Sequence, residues 1–262
     1  MGKIDIAIDV AIDHQKRRIA KQRQARAHDA LIMKVLTNLA DRPHRAQRLA
    51  AAPATTPEPR PLGADGAPPE LEPLAAAGFT DIVINHAHLG AKIEQALGDG
   101  SQWGLRIQYS PEPPGALETA GGIATALPLL GDAPFLVVNG DVYCDVDFAH
   151  FSGLTAAGWQ PTAHLVMVAN PAHHTGGDFS LDGERIIFAN GQQTFTYAGI
   201  GVFSPHFFRD VTPGQPLKLR PLLDAAIAAG TLTGERFAGR WVDVGTPQRL
   251  AELDHELREQ ER

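Results

Sequence analysis

Cysteine is almost absent from this 262-residue chain, where Cys144 stands alone. Neither an intramolecular disulfide nor a multi-cysteine zinc site can form from one thiol. Cys144 has no evident histidine partner in the sequence, so it is expected to be a small core residue and not a nucleophile. Long apolar runs are missing too: no stretch approaches the about 20 uncharged apolar residues that a membrane-spanning helix needs. The chain opens by alternating Ile with Asp (Ile4, Asp5, Ile6, then Ile8, Asp9). A secretory leader would show a basic flank, an apolar core and a small-residue cleavage site, so a cytoplasmic protein without membrane contact is expected.

Positive charge is scarce over most of the chain. Residues 1–73 carry 12 Lys+Arg and 9 Asp+Glu and the rest carries 11 and 21, so a net +3 is followed by −10. An acidic body argues against a nucleic-acid partner. It is compatible with phosphate-ester substrates, because a bound divalent cation reverses the local field. The one basic run, His14 to His28, has six Lys/Arg and no acid. With no aromatic interleaved for base stacking, it reads as a solvated helix or frayed tail and not as a nucleic-acid arm.

Residues 37–73 contain no Ile, Val, Phe, Tyr, Trp, Met or Lys, and Ala, Pro and Arg dominate. Such a segment buries too little apolar area to offset its ordering entropy, so residues 1–73 are expected to be atypical and poorly ordered. From about Gly78 onward, strand-like and helix-like pieces alternate. Thr80–Asn85, Leu105–Tyr109, Phe135–Val138, His164–Val168, Asp178–Leu181, Arg185–Ala189 and Thr194–Phe203 read as strands. His88–Leu97, Ile123–Leu130, Leu219–Ala229 and Gln248–Glu259 read as helices, with Thr246 and Pro247 suited to cap and start the last. The order predicts an α/β three-layer sandwich on a mixed, mostly parallel sheet with an antiparallel portion in its second half.

In an open α/β sheet, ligands gather beyond the carboxyl ends of strands, so polar residues there are candidates. Asp141 ends Phe135-Leu-Val-Val-Asn-Gly-Asp, although an Asp there can equally cap a turn. Asp243 sits between Val242 and Val244 in Arg240-Trp-Val-Asp-Val-Gly-Thr-Pro-Gln. It should therefore face a side different from both and need a partner there. Two carboxylates converging from distant segments suit Mg²⁺, which takes few protein oxygens and completes its shell with water and phosphate. In Leu117-Glu-Thr-Ala-Gly-Gly, paired glycines at a helix start leave backbone N–H groups uncovered for a base or phosphate. A helix-entry turn without ligand is the alternative.

Taken in order, Ala76–His86, Glu118-Thr-Ala-Gly-Gly122, Val138-Asn-Gly-Asp141, Gly177-Asp-Phe179, Thr196-Tyr-Ala-Gly-Ile200, Phe203-Ser-Pro205 and Trp241-Val-Asp-Val-Gly-Thr246 resemble sugar-1-phosphate nucleotidyltransferases. The likeness is greatest to the N-acetylmuramate alpha-1-phosphate uridylyltransferases of peptidoglycan recycling. It implies a Rossmann-like, GT-A-like domain over residues 74–262, and attack of a sugar 1-phosphate on the α-phosphorus of UTP or another NTP, releasing pyrophosphate. It places the catalytic Mg²⁺ on Asp141 and Asp243. Glu118, Gly121, Gly122 and Asn139 fall on the nucleotide side, and Asp178, Thr196, Gly199 and Asn85 on the sugar-phosphate side. Lys218 is a candidate phosphate cation, with an ordinary exposed lysine as the alternative, and His86 beside Asn85 can equally be a buried structural residue. The resemblance leaves oligomeric state open.

The same resemblance exposes a gap. The family opens on a strand followed by Leu-Ala-Ala-Gly-x-Gly-x-Arg-Met-x-Pro-Leu-Thr and Pro-Lys-Pro-Leu, which grip the triphosphate. Here Met33-Lys-Val-Leu36 resembles the strand and Leu74-Ala-Ala-Ala-Gly78 its resumption, but the residues between are foreign. A reading-frame change over 37–73, with residues 1–32 translated from upstream, leaves that pattern of kept spacing and lost residues. Resequencing the locus tests it, and an intact frame encoding this same chain refutes it. Reduced turnover is expected either way. The alternatives are a thymidylyl- or guanylyltransferase for glucose or mannose 1-phosphate, and a non-catalytic nucleotide-sugar-binding module.

Overall fold

The computed structural model of the protein describes residues 34–38, 71–87, 89–152 and 161–260. Most of the expected disordered segment, the basic run and the position of the altered loop lie outside those residues.

Each candidate strand forms, within a residue or two. After β1 (Lys34–Asn38) come α1 (Leu71–Ala76), β2 (Asp81–His86), α2 (Gly90–Leu97), β3 (Arg106–Pro111), α3 (Glu118–Leu130), β4 (Phe135–Asn139) and β5 (Val142–Cys144). Then follow β6 (Ala163–Val168), β7 (Phe179–Asp182), β8 (Arg185–Ile187), β9 (Thr194–Phe203), α4 (Arg220–Ala229), β10 (Leu232–Arg236), β11 (Trp241–Asp243) and α5 (Pro247–Gln260). Thr246 caps α5 through its hydroxyl, which accepts the Arg249 N–H at 3.3 Å, and Pro247 is the first helical residue.

Nine strands make one sheet in the order β3-β2-β1-β4-β9-β6-β10-β8-β7, and β11 with β5 makes a separate two-stranded ribbon. The sheet is mixed, as expected, but not mostly parallel. Only β2 with β3 and β6 with β10 run parallel, whereas β1, β4, β9, β7 and β8 pair antiparallel with their neighbours. Continuous apolar runs such as Phe135–Val138 report burial on both faces. Burial on both faces requires only cover above and below, whichever way the strand runs. β1 forms where the resemblance placed the opening strand, yet it runs opposite to β2 and β4. Lys34 pairs with Asn85 and Asn139 while Asn38 pairs with Phe135. The site-side end of β1 is thus its beginning.

Side-chain alternation builds a core on each face. Ile82, Ile84, Leu136, Val138, Val166 and Val168 point to one side with Leu71, Leu74 and Phe79. Val83, Phe135, Val137, Leu165 and Met167 point to the other, beneath α3 and α4. Phe135, Phe203 and Phe208 stack within the second core at centroid separations of 5.6 to 6.5 Å. Truncating one of them to Ala costs about 3–5 kcal/mol.

Candidate active site

Two distant aspartates meet because the β5–β11 ribbon joins their segments. Register sets Asp243 opposite Val142, Val242 opposite Tyr143 and Trp241 opposite Cys144, and Val244 N–H donates to the Asp141 carbonyl at 2.8 Å. Trp241, on the same face of β11 as Asp243, is pinned by its indole N–H donating to the Ala198 carbonyl at 2.9 Å. The point where a Cβ on Gly245 would lie is 2.9 Å from Asp243 Oδ1 and 3.0 Å from Asp141 Oδ2. With Arg249 Nη2 3.3 Å from the same point, only glycine fits there, so Gly245 lets the two carboxylates approach, and both line one gap beside it.

Asp243 is heavily engaged. Its Oδ1 accepts the Gly245 N–H at 2.7 Å and Arg249 Nη2 at 2.9 Å, and its Oδ2 lies 3.2 Å from His173 Nε2. Arg249 Nε also donates to the Asp243 carbonyl at 2.7 Å. Among the described residues, no group of three or more His, Cys, Asp or Glu is arranged to hold a metal. A cation in the gap would thus be shared by two carboxylates and take its other oxygens from solvent and phosphate, which suits Mg²⁺.

A cleft of about 180 Å³ opens beside the aspartates, lined among others by Asn139, Asp141, His173, His174, Thr196 and Gly199. A β-bulge shapes it. Between the pairs Leu165–Gly201 and Met167–Tyr197, β9 holds more residues than β6, and Gly199 lies in that excess at φ 74°. A Cβ on Gly199 would lie 2.6 Å from Asn139 Nδ2, so the bulge and the missing side chain together let Asn139 close over β9. Thr196 also lines the cleft, but its hydroxyl donates to Asn170 Oδ1 at 3.0 Å. Burial pushes the pKa of the Tyr197 phenol up, so Tyr197 lines the cleft as a neutral group. Asp178 lies behind the lining, its carboxylate accepting the Tyr197 N–H at 2.9 Å and facing His174 Nε2 at 3.2 Å.

The glycine pair behaves differently from the expectation. Gly121 and Gly122 fall inside α3, and the Ala120 and Gly121 N–H groups are already covered by the Leu217 carbonyl at 2.9 and 3.2 Å. A Cβ on Gly121 would lie 2.1 Å from the Gln215 carbonyl oxygen, and one on Gly122 2.3 Å from Glu112 Oε1. Close packing of protein on protein therefore accounts for both glycines. Asn85 is fully buried and donates to Glu112 Oε1 at 2.6 Å, while Glu112 Oε2 accepts the Leu117 N–H at 2.7 Å. Leu117 is flanked by Ala116 and Glu118 at φ 57° and 58°, a left-handed conformation that costs non-glycine residues energy and collects at functional sites. His86 is buried against Glu94 at 2.9 Å. Lys218 is exposed beside Leu217. None of Asn85, Glu118, Gly121, Gly122, Asp178 and Lys218 lines the cleft at the aspartates. Cys144 is half-buried against the first core.

Sequence reasoning passed over Arg249, His173, His174 and Glu112. The adjacent histidines of Pro171-Ala-His-His just before Gly177-Asp-Phe were a visible signal, as was an arginine in the first turn of a helix that follows an aspartate motif. Glu112 gave none, because its role lies in two partners that only folding brings near.

A family model described as nucleotidyl transferase matches residues 69–260. The N-acetylmuramate alpha-1-phosphate uridylyltransferase of Neisseria meningitidis serogroup B is 48% identical over 79% of this chain and 92% of its own length. The Caulobacter vibrioides protein of the same name is 34% identical over 68% and 78%. A mannose-1-phosphate guanylyltransferase of Mycobacterium tuberculosis is 30% identical over 68% of this chain and 52% of its own. Among solved structures, HddC from Yersinia pseudotuberculosis superposes with a TM-score of 0.56 at 18% identity, covering 71% of this chain and 83% of its own. That last likeness concerns the fold.

Proposed function

The chain belongs to the nucleotidyl transferase family, and from that membership we propose that it transfers a uridylyl group from UTP to N-acetylmuramate 1-phosphate, releasing pyrophosphate. The observation that carries the reading is that Asp141 and Asp243, brought together by the β5–β11 ribbon, line one cleft. The reaction needs no protein nucleophile. Two anionic substrates must be neutralised and held in line, and the residues that do this need only position and charge. Mg²⁺, held by Asp141 and Asp243, would neutralise phosphate oxygens as they react. Thr196 and Gly199 would shape the sugar-phosphate side of the cleft, and Asn139, packed against Gly199, would stand with them and not on the nucleotide side that the resemblance implied. The strained Ala116–Glu118 turn would present the nucleotide side, with Lys218 exposed next to it, and Asn85, tied to that turn through Glu112, would support this side and not the sugar-phosphate side that the resemblance implied.

Turnover is low in this reading. The family's triphosphate-gripping loop has no counterpart in the sequence, and the site-side end of β1 is its start. Pyrophosphate release measured with UTP, dTTP, GTP and CTP against a panel of sugar 1-phosphates, with and without Mg²⁺, tests it. Preference for UTP and N-acetylmuramate 1-phosphate supports the proposal, whereas a preference for GTP with mannose 1-phosphate moves it to the guanylyltransferases. A second reading, binding of a nucleotide sugar without turnover, draws on the scarcity of basic side chains in the cleft, whose described lining holds His173 and His174 but no Lys or Arg. Calorimetric binding of a UDP-sugar with no pyrophosphate release favours it.

A further inference from the structure

Arg249 is the one arginine among the described residues that line the clefts at Asp243. It stands in the first turn of α5 and grips a single residue twice. Its Nε donates to the Asp243 carbonyl at 2.7 Å and its Nη2 to Asp243 Oδ1 at 2.9 Å. One planar guanidinium thus ties the backbone of β11 to the carboxylate projecting from it, and fixes how that carboxylate is turned. The Gly245 N–H adds a second donor to the same oxygen at 2.7 Å. Oδ2, which among the described residues faces His173 Nε2 at 3.2 Å, is the oxygen left for a ligand. The start of α5 does not need this fork, because Thr246 and Pro247 already cap and begin the helix.

We propose that Arg249 is a positioning residue that presents Asp243 to the divalent cation of the reaction, a role that rests on the metal-binding reading above. Two effects oppose each other. The guanidinium draws off part of the negative charge that attracts a cation, and it also removes the rotational freedom that Asp243 would lose on binding. The geometry favours the second, since the fork spans two atoms of one residue that a lone ammonium cannot span. Lysine at 249 keeps the charge without the fork, and so separates the two.

The experiment titrates Mn²⁺ alone into the full chain and follows the free ion by electron paramagnetic resonance, for the wild type, Arg249→Met, Arg249→Lys and Asp243→Ala. Outer partners of metal ligands typically contribute about 10- to 100-fold in metal affinity. Both Arg249 variants should weaken Mn²⁺ binding about tenfold, with the Mg²⁺ concentration for half-maximal pyrophosphate release raised in parallel and Tm within a few degrees of the wild type. If Arg249→Lys binds Mn²⁺ as tightly as the wild type, or more tightly, while Asp243→Ala has lost the ion, the positioning role is overturned and the metal site stands. If the wild type binds no Mn²⁺ that Asp243→Ala abolishes, the metal reading fails and this proposal with it. Should Arg249→Met not fold, Arg249→Lys decides alone.

Discussion

The Val244 N–H donates to the Asp141 carbonyl at 2.8 Å, and this bond carries the β5–β11 pairing past its last paired residues to the two acids. Because the tie is made by backbone, side-chain changes at either acid leave the ribbon intact. Asp141→Asn and Asp243→Asn should each lower pyrophosphate release about a hundredfold or more, the scale seen when one preorganised electrostatic partner is removed. Far-UV circular dichroism should be unchanged. A Tm increase of the wild type with UTP and Mg²⁺ together, lost in both variants, provides a readout even at low turnover. Retention of that increase in either variant refutes a shared cation.

Gly199 bears on the neighbouring wall of the cleft. At φ 74° an alanine would be strained by about 1–2 kcal/mol, and its Cβ would meet Asn139 Nδ2 at 2.6 Å. Gly199→Ala should therefore lower urea-unfolding stability by at least that amount and displace Asn139. The Michaelis constant for the sugar phosphate should rise more than the one for UTP. A variant as stable as the wild type with both constants unchanged shows that the bulge is not what shapes the cleft.

Much of the fold was legible because buried strands keep their apolar periodicity: Phe135–Val138 and His164–Val168 were visible as runs, and the strands formed there. Direction was not legible, because a strand covered on both faces looks alike parallel or antiparallel. β5 and β11, three residues each, are too short to show periodicity, although their pairing makes the site. The aspartates were found because each follows or interrupts an apolar strand. Glycine pairs are ambiguous in sequence, since absence of a side chain serves a ligand and a crossing backbone equally. Only the coordinates place the Gln215 carbonyl against Gly121.

Glu112 holds the strained turn from behind. One carboxylate oxygen takes the buried Asn85 amide at 2.6 Å and the other the Leu117 N–H at 2.7 Å, so both facing groups are donors. Glutamine keeps one acceptor for Leu117 and can donate its NH₂ only if Asn85 turns toward it the Oδ1 that is unpaired among the described residues, which leaves the Asn85 NH₂ unsatisfied instead. Leaving a buried donor unsatisfied costs about 1–3 kcal/mol, and Glu112→Gln should lose stability on that scale by urea unfolding. Glu112→Ala releases Leu117 as well, so the turn at Ala116 and Glu118 relaxes, and in that variant the Michaelis constant for UTP should rise severalfold while kcat changes little. An unchanged UTP constant alongside the stability loss assigns Glu112 to folding alone.

His164 sets a pH dependence remote from the cleft. It is buried on β6, with Nδ1 2.9 Å from Thr233 Oγ1, and Nε2 is buried without a hydrogen-bond partner among the described residues. Burial lowers its pKa from the ordinary value near 6.5, and His150 lowers it further, while Glu235 and Glu184 oppose the shift. The folded state therefore binds this proton less readily than the unfolded chain. As pH falls below about 6.5 the unfolded state gains the proton first, and stability declines by up to about 1.4 kcal/mol per pH unit until the folded-state pKa is passed. Above that range His164 is neutral in both states and contributes no slope. Urea unfolding at pH 7.5, 6.5 and 5.5 should show a steeper loss toward acid in the wild type than in His164→Leu, whose side chain cannot titrate. Equal slopes, or a steeper loss in the variant, refute a folded-state pKa held below the ordinary value by burial.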